Sequence, residues 1–239
     1  MGLALIPVAA TAVGAATAAL RPPGKKVRSA VQHFAAGVVF SVVAVELLPD
    51  IVRVHDAFEI GWTFAAGVAL MLLIALLERR LEANAADGNI EMGMVGANVG
   101  QLVGVGVDFL LDGLLIGVAF AAGAREGLFL TLALSLELLT LGLAIASSVG
   151  ARGGSRTATV VTPTALSLLL VVGAVLGDTV LRGASEHTLA GVLSFGSAAL
   201  LYLVTEELLV EAHEGAETPF ATAMFFVGFL LFLLLGMVA

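Results

Sequence analysis

The chain of 239 residues contains no cysteine. Disulfides and thiolate metal sites are therefore excluded. Charge is scarce as well. Asp, Glu, Lys and Arg make up 13% of the residues, against about 25% in a soluble domain. Hydrophobic residues make up 59%, and the mean hydropathy is +1.07. A polytopic membrane protein is the class that fits. No basic cluster with interleaved aromatics is present, which argues against a nucleic-acid partner. The opening segment MGLALIPVAATAVGAATAAL lacks a basic region ahead of its apolar run, and its charges follow in RPPGKKVR. That order predicts a first membrane span with the N-terminus outside, not a signal peptide. Ile6 stands where a myristoylation signal needs Ser or Thr.

A helix needs about 20 apolar residues to cross a bilayer. Eight such stretches are predicted, at 3–20, 31–49, 60–78, 95–122, 126–149, 160–181, 188–210 and 219–238. The connections are short and leave no room for a soluble domain, so residues 1–239 read as one all-α transmembrane domain. With the N-terminus outside, the inner loops hold Arg21, Lys25, Lys26, Arg28, Arg79, Arg80, Arg152 and Arg156. The outer loops hold Arg53, Arg125 and Arg182. Eight against three follows the positive-inside rule and predicts a cell (plasma or inner) membrane protein with both termini outside.

An inverted repeat is also visible. FAAGVVFSVVAVELLPD (34–50) aligns with FGSAALLYLVTEELLVE (195–211), placing Phe34 on Phe195, Glu46 on Glu207 and Asp50 on Glu211. These are spans two and seven, which run in opposite directions, as in inverted-topology transporters. A weaker match lays DFLLDGLLIG (108–117) over ELLTLGLAIA (137–146), pairing Asp108 with Glu137 and Gly113 with Gly142. Spans 1–3 thus correspond to spans 6–8, with 4 and 5 central.

The polar residues inside the spans carry the functional argument. An aspartate at the centre of a span costs about 2.5–3.5 kcal/mol on insertion scales. Yet Asp108 and Asp112 sit four residues apart in span four, and Glu137 is near the middle of span five. Asn98, Gln101, Asp108 and Asp112 fall roughly along one helical stripe, and Glu137, Thr140 and Ala144 along another. If the two helices are neighbours, three carboxylates converge with no Lys or Arg inside any span to pair with them. Such a cluster holds either protons or a cation, and its oxygen ligands resemble a cation site. Glu46 and Asp50 at the outer end of span two suggest an acidic entrance. Glu206, Glu207, Glu211 and His213 at the inner end of span seven suggest an acidic exit. Asp50, Glu214 and Glu217 read as solvated carboxylates, and His33, His55 and His187 as surface histidines near span ends. Gly96, Gly100 and Gly104, every four residues, would let another helix approach span four closely.

These features together resemble the ZIP family (Zrt/Irt-like proteins), which move divalent metals toward the cytoplasm. LLYLVTEELLVEAHE (200–214) resembles the family's seventh helix, Y-V-x-x-E-E-L-I-P-E-A-H. FAAGVVFSVVAVELLPD resembles the second helix, and DFLLDGLLIGVAFAAG the fourth, H-N-x-x-[DE]-G-L-A-x-G-x-A. The resemblance implies that Asp112, the acidic residue before Gly113, binds metal. It places Asp108 at a family histidine, Phe109 at the asparagine and Leu111 at the proline. In the fifth helix, [HQ]-[ED]-x-P-[HE]-G, only the first ligand position survives, as Glu137. Leu138, Thr140 and Leu141 occupy the second ligand, the proline and the last ligand positions. TP (162–163) stands where the sixth helix has E-P, and the loop between spans three and four lacks the family's frequent histidines. A two-metal centre is therefore not expected.

The resulting expectation is a transporter of divalent metal (zinc, iron or manganese as substrate). Asp108, Asp112 and Glu137 are the central ligands, joined by Gln101 and by Glu46, Glu207, Glu211 and His213 along the route. All-oxygen sites suit harder ions than zinc. The expected partners are the metal ion and the bilayer, with a homodimer left open. A proton- or sodium-coupled carrier of an organic solute, or a non-transporting homologue, fits the same residues. An enzyme is not expected, since no nucleophile–base pair or H-E-x-x-H motif is found.

Overall fold

The computed structural model describes residues 2–54, 56–87, 99–213 and 218–238. Eight helices among them are long and apolar enough to cross a membrane: α1 (Gly2–Leu20), α2 (Lys25–Arg53), α3 (Ala57–Asp87), α4 (Val99–Ala122), α5 (Ala124–Ala151), α6 (Arg156–Leu181), α7 (Glu186–His213) and α8 (Pro219–Val238). No strand occurs among the described residues. All eight predicted spans are found, and their ends explain the differences. α2 starts at Lys25 instead of 31, and α3 runs to Asp87 instead of 78. Lys, Arg, Glu and Ala are good helix formers that continue a helix past the lipid, so hydropathy marks the bilayer and not the helix end.

The helices form two groups. α1 packs along α5 and α4 along α6, with further contact among α1, α4, α5 and α6. α2 packs along α8 and α3 along α7. Each pairing depends on glycines set against a neighbour's backbone, with no room for a side chain. Gly14 of α1 meets the Leu139 carbonyl of α5, and Gly173 of α6 meets the Leu110 carbonyl of α4. Gly142 meets the Thr11 carbonyl and Gly113 the Leu170 carbonyl. In the second group, Gly228 meets the Phe34 carbonyl and Gly67 the Phe195 carbonyl. Where lipid offers no hydrophobic drive between helices, such close approach supplies the packing energy.

These contacts come in pairs related by the repeat. Phe34 and Phe195 correspond, and so do Gly67 and Gly228 at the same shift of 161 residues. Leu110 corresponds to Leu139 at the shift of 29 that aligns Asp108 with Glu137. The π-helical turns match too: Val43–Leu47 in α2 and Leu203–Leu208 in α7, each holding one of the aligned glutamates, Glu46 and Glu207. A π turn is rare, and often marks a functional position. Finding it twice at equivalent places makes chance similarity of apolar helices an inadequate account of the repeat.

Two interhelix turns need glycine. Gly153 (φ 83°) and Gly183 (φ 81°) take the left-handed conformation that ends α5 and α6. Ser155 and Ser185 then cap α6 and α7 by accepting from the Ala158 and Thr188 backbone N–H. Elsewhere, α6 and α8 carry exposed apolar rows, such as Leu168, Val172 and Leu176, or Phe226, Leu230 and Leu234, which suit a lipid-facing surface.

Candidate metal centre

Asp108 and Asp112 lie one turn apart on α4, so both project from the same face. α5 runs back beside α4 after a single-residue link, Gly123, and presents Glu137 to that face. One carboxylate oxygen from each of Asp108, Asp112 and Glu137 lies within 4.8 Å of the other two. Oxygen ligands at about 2.0–2.2 Å around a small divalent ion lie ~3.3–3.6 Å apart in a tetrahedral arrangement, so from a 4.8 Å bound the three groups close by up to about 1.5 Å to grip one.

Burial makes this arrangement unusual. Asp112 and Glu137 are each 2% exposed, amid Phe109, Leu134 and Leu138 at 0%. Asp112 Oδ2 and Glu137 Oε2 have no hydrogen-bond partner. The hydroxyls nearby on α5 do not help, since Thr140 donates to the Glu137 carbonyl at 2.7 Å and Ser135 to the Thr131 carbonyl at 2.6 Å. An unsatisfied buried carboxylate oxygen is expensive unless a proton or a cation meets it. The donor set, three hard oxygens, is one that a divalent cation fits.

Asp108 is half-buried, and it lines a cavity of about 700 Å³ together with Arg28, Arg79, Glu206, Glu207 and Glu211. Arg28 starts α2 and Arg79 lies toward the end of α3, so the cavity opens on the side that holds eight of the eleven basic residues. This side is called the basic face below. The other, where α1 begins and α8 ends, is the terminal face.

The remaining expected site residues are not gathered at this centre. Glu46 does not form an open acidic entrance. It is 7% exposed and paired with Arg125, whose Nε lies 3.3 Å from Glu46 Oε2. Arg125, which the sequence places in an outer loop, lies in the first turn of α5 and reaches inward to it. Glu207 does line the basic-face cavity. Glu211 lines it too, held by Arg28 at 3.2 Å and by the Gln32 amide at 2.5 Å. His213 is exposed, bonded to the Leu209 carbonyl and 5.0 Å from the ring of His33. His33 is not a surface residue. It is 4% exposed with Nδ1 2.8 Å from the Ser29 carbonyl, because α2 begins earlier than predicted and carries it two turns inside. Asn98, Gly96, His55, Glu214 and Glu217 lie outside the described residues, as do the side chain of Gln101 and the contacts of Gly100. Of the predicted stripe, Gly104 lines the cavity; among the described residues, α4 also approaches α6 closely at Gly113 and Gly117.

One cluster was missed. Asp56 and Glu59 at the start of α3 and His187 at the start of α7 bring one ligand atom each within 4.8 Å. Asp56 is occupied in accepting from the Phe58 and Glu59 backbone N–H groups, and His187 Nδ1 lies 3.6 Å from Glu59 Oε2. The D-x-x-E spacing could have signalled the helix start. The approach of His187 depends on the α3–α7 pairing and leaves no trace in local sequence.

No family model matches the chain. Among curated proteins it is similar to the zinc transporter GufA of Myxococcus xanthus, with 30% identity over 127 residues. The match covers 53% of this chain and 50% of the relative, so the chain spans about half the length of the curated relative it matches.

Proposed function

We propose that the chain carries divalent metal ions across the membrane, with Asp108, Asp112 and Glu137 as the site through which they pass. The observation that carries this reading is the pair of buried, partnerless oxygens, Asp112 Oδ2 and Glu137 Oε2, in a three-carboxylate cluster at the end of a cavity. The similarity to a zinc transporter supports it, as do the ZIP-like motifs in α2, α4 and α7. The substrate is zinc, iron or manganese, and the all-oxygen donor set favours the harder ions. The positive-inside rule makes the basic face cytoplasmic. The cavity then opens to the cytoplasm, and uptake runs in that direction. The inverted repeat supports alternating access, in which the two halves take turns in opening.

The test is uptake into proteoliposomes with a panel of Zn²⁺, Fe²⁺, Mn²⁺ and Cd²⁺, on the parent protein and on Asp112→Asn. Metal uptake that the substitution abolishes is the expected result. A protein that neither binds nor moves any of these ions, but accumulates an organic solute down a proton or sodium gradient, overturns the proposal.

A further inference from the structure

The repeat allows the two membrane halves to be compared residue by residue. Shifted by 161 residues, the cavity-lining Glu207, Tyr202, Met71 and Ala75 correspond to Glu46, Ser41, Phe232 and Gly236 on the terminal side. Shifted by 29, Gly104 and Val105 correspond to Ala133 and Leu134. On the basic side these positions surround about 700 Å³ of space. On the terminal side they are closed: Ser41 is 1% exposed, Ala133 and Leu134 0%, Glu46 and Phe232 7%. One fold therefore holds two opposite packings.

Arg125 stands at the closed end. It sits in the first turn of α5 and joins three helices. Its guanidinium faces Glu46 of α2, with Nε 3.3 Å from Oε2 and Nη2 3.4 Å from Oε1. Nη2 also donates to the Gly236 carbonyl of α8. The same group lies 5.7 Å from the Phe129 ring, and Phe129 packs edge-on against Phe232 at 6.2 Å. Gly236 leaves the space that the Glu46 carboxylate needs, since a Cβ there would lie 2.8 Å from Oε1. The repeat does not supply a second such arginine: the position 29 residues before Arg125 is Gly96, outside the described residues, which has no side chain to offer.

We propose that the Arg125–Glu46 ion pair, anchored on the Gly236 carbonyl, is a latch that holds the terminal half closed while the basic half is open, and that it breaks when the terminal half opens. The proposal rests on the alternating-access reading above. In the opened state Glu46 would line a terminal-face cavity, as Glu207 now lines the basic-face one. The charge balance dictates the sign. Removing Arg125, whose side chain is half exposed, leaves the buried Glu46 carboxylate without its partner, which penalises the closed arrangement and favours the one that hydrates it more fully. Removing the Glu46 charge loosens the latch without that penalty.

The absence of native cysteine permits a direct test in lipid nanodiscs, where both faces meet solvent. Ser41→Cys reports the terminal half and Ser148→Cys, which lines the cavity, the basic half. A hydrophilic thiol reagent should label Ser41→Cys slowly in the parent background. In Arg125→Ala its labelling rate should rise at least about tenfold, within the usual range of coupling between sites, while Ser148→Cys labelling falls. Glu46→Gln should give a smaller rise. The reversed pair, Arg125→Glu with Glu46→Arg, should return the rate toward the parent value. The proposal is overturned if Arg125→Ala leaves Ser41→Cys labelling unchanged, if both reporters rise together, or if the reversed pair labels as fast as Arg125→Ala. Labelling needs no metal. Uptake that survives without a labelling response removes the latch and leaves the transport reading, and a labelling response without uptake does the reverse.

Discussion

Asp112 is the residue on which the transport reading turns. Its carboxylate is 2% exposed with Oδ2 unsatisfied, and asparagine keeps its volume while removing its charge. Asp112→Asn should therefore fold and lose metal uptake by more than about tenfold, since losing even a residue that only hydrogen-bonds a metal's ligand costs about 10–100-fold. Wild-type-like uptake by a well-folded mutant would refute a role as ligand. Asp108 makes a separate prediction about selectivity. Asp108→His supplies a softer nitrogen donor and should raise uptake of Cd²⁺ relative to Mn²⁺; an unchanged ratio in a competition assay shows that the position does not set preference. Both aspartates and Glu137 were legible in the sequence because a charge inside an apolar helix stands out against its surroundings. Arg125 was not. It lies 79 residues from Glu46 in an interhelix region that hydropathy assigns to solvent, and only a long side chain reaching back into the bundle makes the pair.

At the scale of helices, the pairings rest on glycines whose missing side chains admit a neighbour's backbone. Gly113 on α4 faces the Leu170 carbonyl on α6 with no space for a Cβ. Gly113→Val should force the helices apart, at about 1–3 kcal/mol for overpacking. That corresponds to a fall of roughly 2–12 °C in Tm for a chain of this size. Gly61→Ala on α3 is the control, because nothing lies within 4 Å of the added carbon. A thermal melt in detergent in which both variants behave alike would contradict the role given to Gly113. The regular spacing of Gly96, Gly100 and Gly104 drew attention in the sequence to one end of α4, whereas the described grip lies further along, at Gly113 and Gly117. Spacing reveals that a helix has a small-residue face. It does not reveal which neighbour uses it, since that depends on how the bundle is assembled. The π turns left no signal of their own, although the repeated glutamates they carry did.

For the molecule as a whole, the number and order of helices were legible because the bilayer imposes a length and a composition on every crossing. The repeat adds a prediction about sides. Asp50 and Glu211 correspond and end helices that run in opposite directions. In sealed vesicles, Asp50→Cys and Glu211→Cys should therefore react with an impermeant reagent from opposite faces. Labelling of both from one face would refute the inverted arrangement. The glycine-to-carbonyl contacts have a final consequence, for how the fold is written in evolutionary variation. In each contact only the glycine is specified by its codon. The partner contributes a carbonyl that any amino acid would provide, so Leu139, Leu110, Phe195 and Phe34 can change without disturbing that contact. Residue covariation across homologues should therefore fall silent at the closest helix approaches in the molecule and speak mainly at the looser ones, where two side chains meet.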